Sequence, residues 1–199
     1  MRARSRRGTS SGAREVGHSE RMARAIEMFF DERVDAVVRR LWRRLTDSGL
    51  SSLETYGHGR HRPHVSLTVA SHWDVDRSAD VLAEVGAAAK SGQRPRLDFH
   101  ALGSFAGKGG ILFLSPVATS PLLALHEQVG DILRRHGIVE WWSHYRPGAW
   151  VPHCTPAVDL APADLSSAVG LLSGFQPFRA QVVEIGVTDT TTGTVLSLG

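Results

Sequence analysis

The chain has one cysteine, Cys154, so no intramolecular disulfide can form. No stretch approaches the roughly 20 uninterrupted apolar residues of a membrane helix, and the N-terminus has no apolar run of the secretory kind. The expectation is a cytoplasmic protein with no membrane contact. What is present is 199 residues, 42% of them hydrophobic, enough to bury a core without help from metal or disulfide. One domain, or two small lobes packed intimately, fits that length.

The net charge of +3 is unevenly spread. Arg2, Arg4, Arg6, Arg7, Arg14 and Arg21 stand against Glu15 and Glu20, a local balance of +4 that leaves the remainder near −1. Residues 1–21 are basic, contain Gly and Ser, and carry too little apolar surface to offset the entropy of ordering. They are read as a disordered tail ahead of a single domain over 22–199. A solvated extension, a start at Met22 and a nucleic-acid arm all remain open.

From Ala23 the pattern is strand, helix, strand, helix, strand, and then the same again. "ARAIEMFF" is apolar and short. Val34, Val37, Val38, Leu41, Trp42 and Leu45 recur at helical spacing after Asp31, a suitable N-cap, with Gly49 as the stop. Arg39, Arg40, Arg43 and Arg44 fall on the other face, which reads as solvated before it reads as a phosphate contact. "HVSLTVA" alternates as a half-buried strand does, a helix runs from about Val75 to Lys90 and stops at Gly92, and "RLDFHALGSF" closes the first unit. Gly107, Gly109 and Gly110 read as a hairpin turn. "GGILFLSPV" then opens the second unit, followed by a helix with Ser120 as N-cap and Pro121 as its first residue, the strand "AWVPHCTPAVD", another helix, the strand "FRAQVVEIGVTDT" and a final short strand. The expected architecture is α+β, with two pseudo-symmetric β-α-β-α-β lobes over about 22–107 and 108–199, their antiparallel sheets flanking a central cleft.

The middle strand of each unit carries Pro-His-x-(Ser/Thr): Pro63, His64 and Ser66 in the first, Pro152, His153 and Thr155 in the second. With 10 His and 30 Ser or Thr in the chain, a bare His-x-Ser/Thr match is expected by chance. Two matches, both after proline, both on strands, at matching places in the two halves and nowhere else, are a different matter. Residues i and i+2 of a strand project from one face, so each motif presents an imidazole beside a hydroxyl. Displacement at phosphorus in a phosphodiester calls for a base on the attacking oxygen, an acid on the leaving oxygen, and donors for the non-bridging oxygens. Two histidines can fill both proton roles near neutral pH.

With these motifs, the "LGSF" after the third strand and the closing strand pair, the chain resembles the two-histidine (2H) phosphoesterase superfamily over about residues 23–199. The nearer resemblance is to the group of bacterial 2′-5′ RNA ligase and RNA 2′,3′-cyclic phosphodiesterase. The resemblance implies a bilobal fold, His64 and His153 as catalytic residues, Ser66 and Thr155 as phosphate-binding residues, and no cofactor or metal. It also implies hydrolysis of 2′,3′-cyclic phosphates on RNA ends or nucleotides to 2′-phosphates by a monomer, with reverse ligation as a minor activity. A non-catalytic RNA or nucleotide-binding module and a phosphodiesterase acting on a small cyclic nucleotide are the alternatives. Pro156 departs from the family's usual aliphatic residue and implies an edge strand or a bulge.

Arg60 and Arg62 are candidate phosphate contacts, and Arg146 is a candidate substrate contact. Phe105, Tyr145 and Trp150 are candidate substrate contacts, within a group that also includes Trp141 and Trp142, since a ring can stack on a base. His58, His61 and His64 are spaced three apart, but Gly59 and Pro63 prevent the helix that would converge them, and no Cys or carboxylate lies in the run. They read as a loop near the cleft. Cys154 points away from its motif neighbours and reads as a buried thiol.

Overall fold

In a computed structural model the protein is described over residues 23–91, 94–105 and 110–199. The tail over 1–21, Met22, the stop at Gly92 and the turn glycines Gly107 and Gly109 lie outside those residues. The elements run β1 (Arg24–Phe30), α1 (Glu32–Asp47), β2 (His64–Ala70), α2 (Ala79–Lys90), β3 (Arg96–Ser104), β4 (Leu112–Pro116), α3 (Ser120–Arg135), β5 (Cys154–Ala157), α4 (Pro162–Leu172), β6 (Phe178–Asp189) and β7 (Val195–Ser197). The fold is therefore α+β, and all its strand pairs are antiparallel.

Local chemistry accounts for most boundaries. Asp31 caps α1, its carboxylate accepting the Val34 N–H at 3.1 Å, and Val34, Val38, Leu41, Trp42 and Leu45 are buried beneath it. Three boundaries differ from the sequence expectation. Residues 75–77 form a separate 3₁₀ turn and α2 begins at Ala79, because the Ser78 hydroxyl donates back to the Asp74 carbonyl and accepts from the Trp73 indole at 2.9 Å. The cap of α3 is Thr119, in extended conformation, with Ser120 already helical. β5 is four residues long, Cys154–Ala157, and begins only after Pro152 and His153, where Pro152 offers no ladder donor.

The strands form one sheet path, β2-β1-β6-β3-β4-β5, with β7 added on β6. β6 is long enough to serve both ends: Val182–Asp189 pair with β1 and Phe178–Gln181 with β3. The third strand of each half thus pairs with the first strand of the other, β3 with β4 and β6 with β1. A division of the sequence at 107/108 does not coincide with a division of the sheet. The helices cross over as well, α1 packing near β5 and α3 near β2. Both motif strands lie at the ends of the path, so β5, which contains Pro156, is an edge strand, paired among the described residues with β4 alone. One continuous core, including Trp42, Phe99, Leu67 and Leu114, joins the two halves.

Candidate active site

The two motif strands, 89 residues apart in sequence, meet across a cavity of about 200 Å³. His64, Ser66, His153 and Thr155 all line it. Each strand is anchored from behind by a tryptophan of the other half. Trp42 on α1 donates its indole N–H to the Thr155 carbonyl, and Trp150 donates to the Ser66 carbonyl, both at 3.1 Å. Trp150 stacks in turn on His126 of α3, ring centroids 4.2 Å apart and planes 3° from parallel. The Cys154 thiol, buried on the far side of β5, hydrogen-bonds the His64 backbone, and burial pushes it up to about 12. It is an inert thiol that ties the motif strands together.

The two imidazoles have related anchors and different surroundings. His64 Nδ1 lies 2.7 Å from the Arg62 carbonyl and His153 Nδ1 lies 2.7 Å from the Val151 carbonyl. A carbonyl only accepts, so each Nδ1 carries a proton and each Nε2 is turned to the cavity side. His64 Nε2 faces Glu27 Oε1 at 3.3 Å. His153 Nε2 faces the Tyr145 hydroxyl at 3.4 Å and is enclosed by Phe105, Phe113 and Tyr145, with ring centroids 5.0, 5.6 and 5.8 Å away. Burial among these rings, with lesser contributions from His64 and His144, depresses the His153 pKa to about 4 against the upward pull of its bond to Val151. Tyr145 is wholly enclosed, which raises its pKa, and it also shares a hydrogen bond with the Ser66 side chain. One phenol therefore touches the hydroxyl of the first motif and the imidazole of the second.

The other residues singled out from the sequence are placed unevenly. Phe105 and Tyr145 line the cavity. Trp150 sits behind β2 with a ring face occupied by His126, so its role in the unliganded fold is to hold the strand. The Arg62 guanidinium lies 4.0 Å over the Phe29 ring and pairs with Glu184 at 2.9 Å. Arg60 and Arg146 are exposed. None of these three arginines lines the cavity, and no Lys or Arg does among the described residues. Of the tryptophan pair, Trp141 is buried while Trp142 is 41% exposed at the cavity. Among the described residues no group of three or more His, Cys, Asp or Glu is arranged to hold a metal ion, and no helix is long and apolar enough to cross a membrane.

Glu27 is the residue that sequence reasoning missed. It is 7% exposed, and its second carboxylate oxygen accepts the Thr188 hydroxyl at 2.6 Å. The available signal was a single acid inside the run "AIEMFF", otherwise apolar, which β1, flanked by strands on both sides, cannot turn to solvent. His144, stacked on Phe105 at 5.1 Å, had no signal beyond its place between two motif-side aromatics.

No curated protein sequence matches the chain. Among solved structures it superposes on TT0787 of Thermus thermophilus with a TM-score of 0.61 at 17% identity, covering 89% of this chain and 96% of that one. The MHV ns2 PDE domain gives a TM-score of 0.53 at 17% identity over 89% and 99% of the two chains. E. coli LigT, solved with NADP+, gives 0.51 at 16% identity over 90% and 94%. These likenesses establish a shared fold. Residues 30–194 match the family described as the 2′-5′ RNA ligase superfamily, which spans both motifs and most of the domain. The chain belongs to the 2′-5′ RNA ligase superfamily of two-histidine phosphoesterases.

Proposed function

We propose that the protein hydrolyses 2′,3′-cyclic phosphates on nucleotides or RNA ends to 2′-phosphates, with His153 as general base and His64 as general acid. The observation that carries this reading is the contrast between two imidazoles on one cavity. His153 commits its only neutral-state proton to the Val151 carbonyl and is kept neutral by burial, so its Nε2 offers a lone pair that can exchange its long 3.4 Å contact with the Tyr145 hydroxyl for the proton of an attacking water. His64 faces an acceptor from each ring nitrogen, the Arg62 carbonyl and the Glu27 carboxylate. Both acceptors are satisfied only when both nitrogens carry protons, which is the form that can give one away.

The step balances. Water attacks phosphorus as His153 removes its proton, the P–O3′ bond breaks, and His64 delivers a proton to O3′. The product is a 2′-phosphate with a free 3′-hydroxyl. Ser66 and Thr155, one beside each imidazole, are the donors for the non-bridging oxygens. With a 5′-hydroxyl end in place of water, the same step with the same roles breaks P–O3′ and leaves a 2′-5′ phosphodiester, the minor ligation the family's name points to; its reversal, attack of O3′ on that bond, exchanges the two roles.

The cavity's small volume and the lack of Lys or Arg among its described lining residues favour a mononucleotide or a chain end over a long RNA tract. Trp142, exposed at the cavity, supplies a face for the base, while Phe105 is packed between His144 and Phe113.

The test is a hydrolysis panel of 2′,3′-cyclic mononucleotides, RNA ends bearing the ring, and 2′-5′-linked oligonucleotides, each with and without chelator. Turnover of the cyclic substrates that is insensitive to chelator is the expected result. His153→Ala or His64→Ala should lower kcat/KM by about 10³-fold or more. A His153→Ala protein with the wild-type rate would remove the mechanism, and binding without turnover of any substrate would favour the non-catalytic module.

A further inference from the structure

The loop between α1 and β2 brings two more imidazoles to the cavity, His58 and His61, which the chemistry above does not use. Their ring centroids are 4.0 Å apart with planes at 35°. The Arg60 backbone N–H donates to His58 Nδ1 at 3.0 Å, so neutral His58 carries its proton on Nε2. That nitrogen is closed to water and has no hydrogen-bond partner. His61 donates to the Tyr56 carbonyl, and burial, with the nearby His58 and His64, depresses its pKa to about 4. The pair is held from outside by the β6–β7 turn. Gly193 has φ +72°, and a Cβ there would come within 2.5 Å of the His58 ring, so glycine is what lets the turn close against it.

The groups facing the pair are His64 from β2, Glu27 from β1, His153 from the start of β5, and His144 and Tyr145 from the turn before it. Arg60, on the same loop, is exposed. Glu27 is engaged by His64 and Thr188. The cavity thus holds a surplus of imidazole donors, one of them buried without an acceptor, and no permanent cation among its described lining residues. An occupant that offers oxygen acceptors and negative charge completes it. A transition metal needs lone pairs, and at His58 one nitrogen's lone pair is taken by Arg60 while the other bears the proton.

We propose that His58 and His61 form a second anion subsite, which takes a further phosphate group of the substrate, the one on the 5′ side of the nucleoside that bears the reactive phosphodiester. The phosphate oxygens give the ring N–H groups the acceptor that His58 Nε2 lacks, and the added negative charge favours uptake of a proton at His61, whose pKa burial and the neighbouring imidazoles hold low. The enzyme so built distinguishes a nucleotide with two phosphates from one with only the ring, and does so more strongly in mild acid. This rests on the reading of the cavity as a phosphodiester site.

The experiment compares nucleoside 2′,3′-cyclic phosphates with and without a 5′-phosphate, as a ratio of kcat/KM, at pH values from about 5.5 to about 8. Wild type should prefer the 5′-phosphorylated compound by about tenfold at the acid end, falling to about twofold or less at the alkaline end. His58→Ala and His61→Ala should flatten the ratio at all pH values. His58→Gln, which keeps a donor but cannot charge, should retain a pH-independent preference. Calorimetry with nucleoside 2′-phosphate and nucleoside 2′,5′-bisphosphate, in two buffers of different ionisation heat, counts protons taken up and needs no turnover. Wild type should take up more protons with the bisphosphate, and His58→Ala should not. Absence of hydrolysis with this proton count intact would sink the catalytic reading alone. No 5′-phosphate preference at any pH, or a preference and proton count unchanged in both alanine variants, would overturn the subsite.

Discussion

Replacing Phe105 by alanine tests whether burial is what makes His153 a base. The imidazole is depressed to about 4 from an ordinary value of 6.5, with enclosure the largest cause. Phe105 is one of three rings around it and the one with the shortest centroid distance, 5.0 Å. If each ring carries a similar share, opening one side returns about a third of that gap, close to one pH unit and about 1 kcal/mol. The acid limb of kcat/KM reports the base in the free enzyme, so it should move up by that amount, while Phe105→Leu, which keeps the site dry, should leave it in place. The same change should appear in the titration of the His153 ring by NMR, independent of any effect of Phe105 on substrate binding. A wild-type limb already near 6.5, or an alanine variant whose limb stays put or moves down, would refute burial as the cause.

Acid should weaken the fold through the same residue. His153 binds a proton more readily unfolded than folded, so stability rises with pH between about 4 and 6.5 and is lost as pH falls through that window. The full difference is about 3 kcal/mol for this nearly enclosed group, measurable as the change in urea midpoint between the two ends; a His153→Gln protein with an equal dependence would contradict it. Trp150→Phe removes the donor to the Ser66 carbonyl and should cost about 1–2 kcal/mol in the same assay, with a fall in kcat beyond what stability explains. An unchanged midpoint would mean that β2 is held by packing alone. Tyr145→Phe breaks the link between Ser66 and His153 and should lower kcat more than it changes KM; a raised KM with kcat unchanged would place Tyr145 in substrate binding only.

The sequence's periodicities carried the elements and the two motifs because those signals are local. Val34, Val38, Leu41 and Leu45 mark the inner face of α1 whatever it packs against, and strand alternation alone sets His64 beside Ser66. Partners are not local. Nothing in the run of β3 says that it leaves its own half to pair with β4, and the exchange of β3 and β6 is fixed only when the long strand β6 reaches both ends of the sheet. Likewise the place of Glu27 beside His64 is fixed only when β2 and β6 pair on either side of β1. Arg60, Arg62 and Arg146 were singled out for charge and nearness in sequence. Arg62 is drawn outward by Glu184 and Phe29, and a long side chain near a cleft finds water as easily as substrate.

That carboxylate also bears on how the two histidines proposed as proton-transfer groups come to differ. In a pseudo-symmetric site the imidazoles would titrate alike, and an acid and a base could arise only by mutual repulsion. Here the strand beside β2 contributes Glu27, opposite Ser66, whereas β4, beside β5, contributes Leu114, paired with Cys154, and Phe113, packed near His153. One imidazole meets an anion and the other meets rings. The second environment favours a neutral ring, while the first gives His64 an acceptor at each ring nitrogen. Symmetry of the backbone places two histidines on one phosphorus in the proposed reaction, and asymmetry in the neighbouring strands decides which of them gives the proton and which receives it.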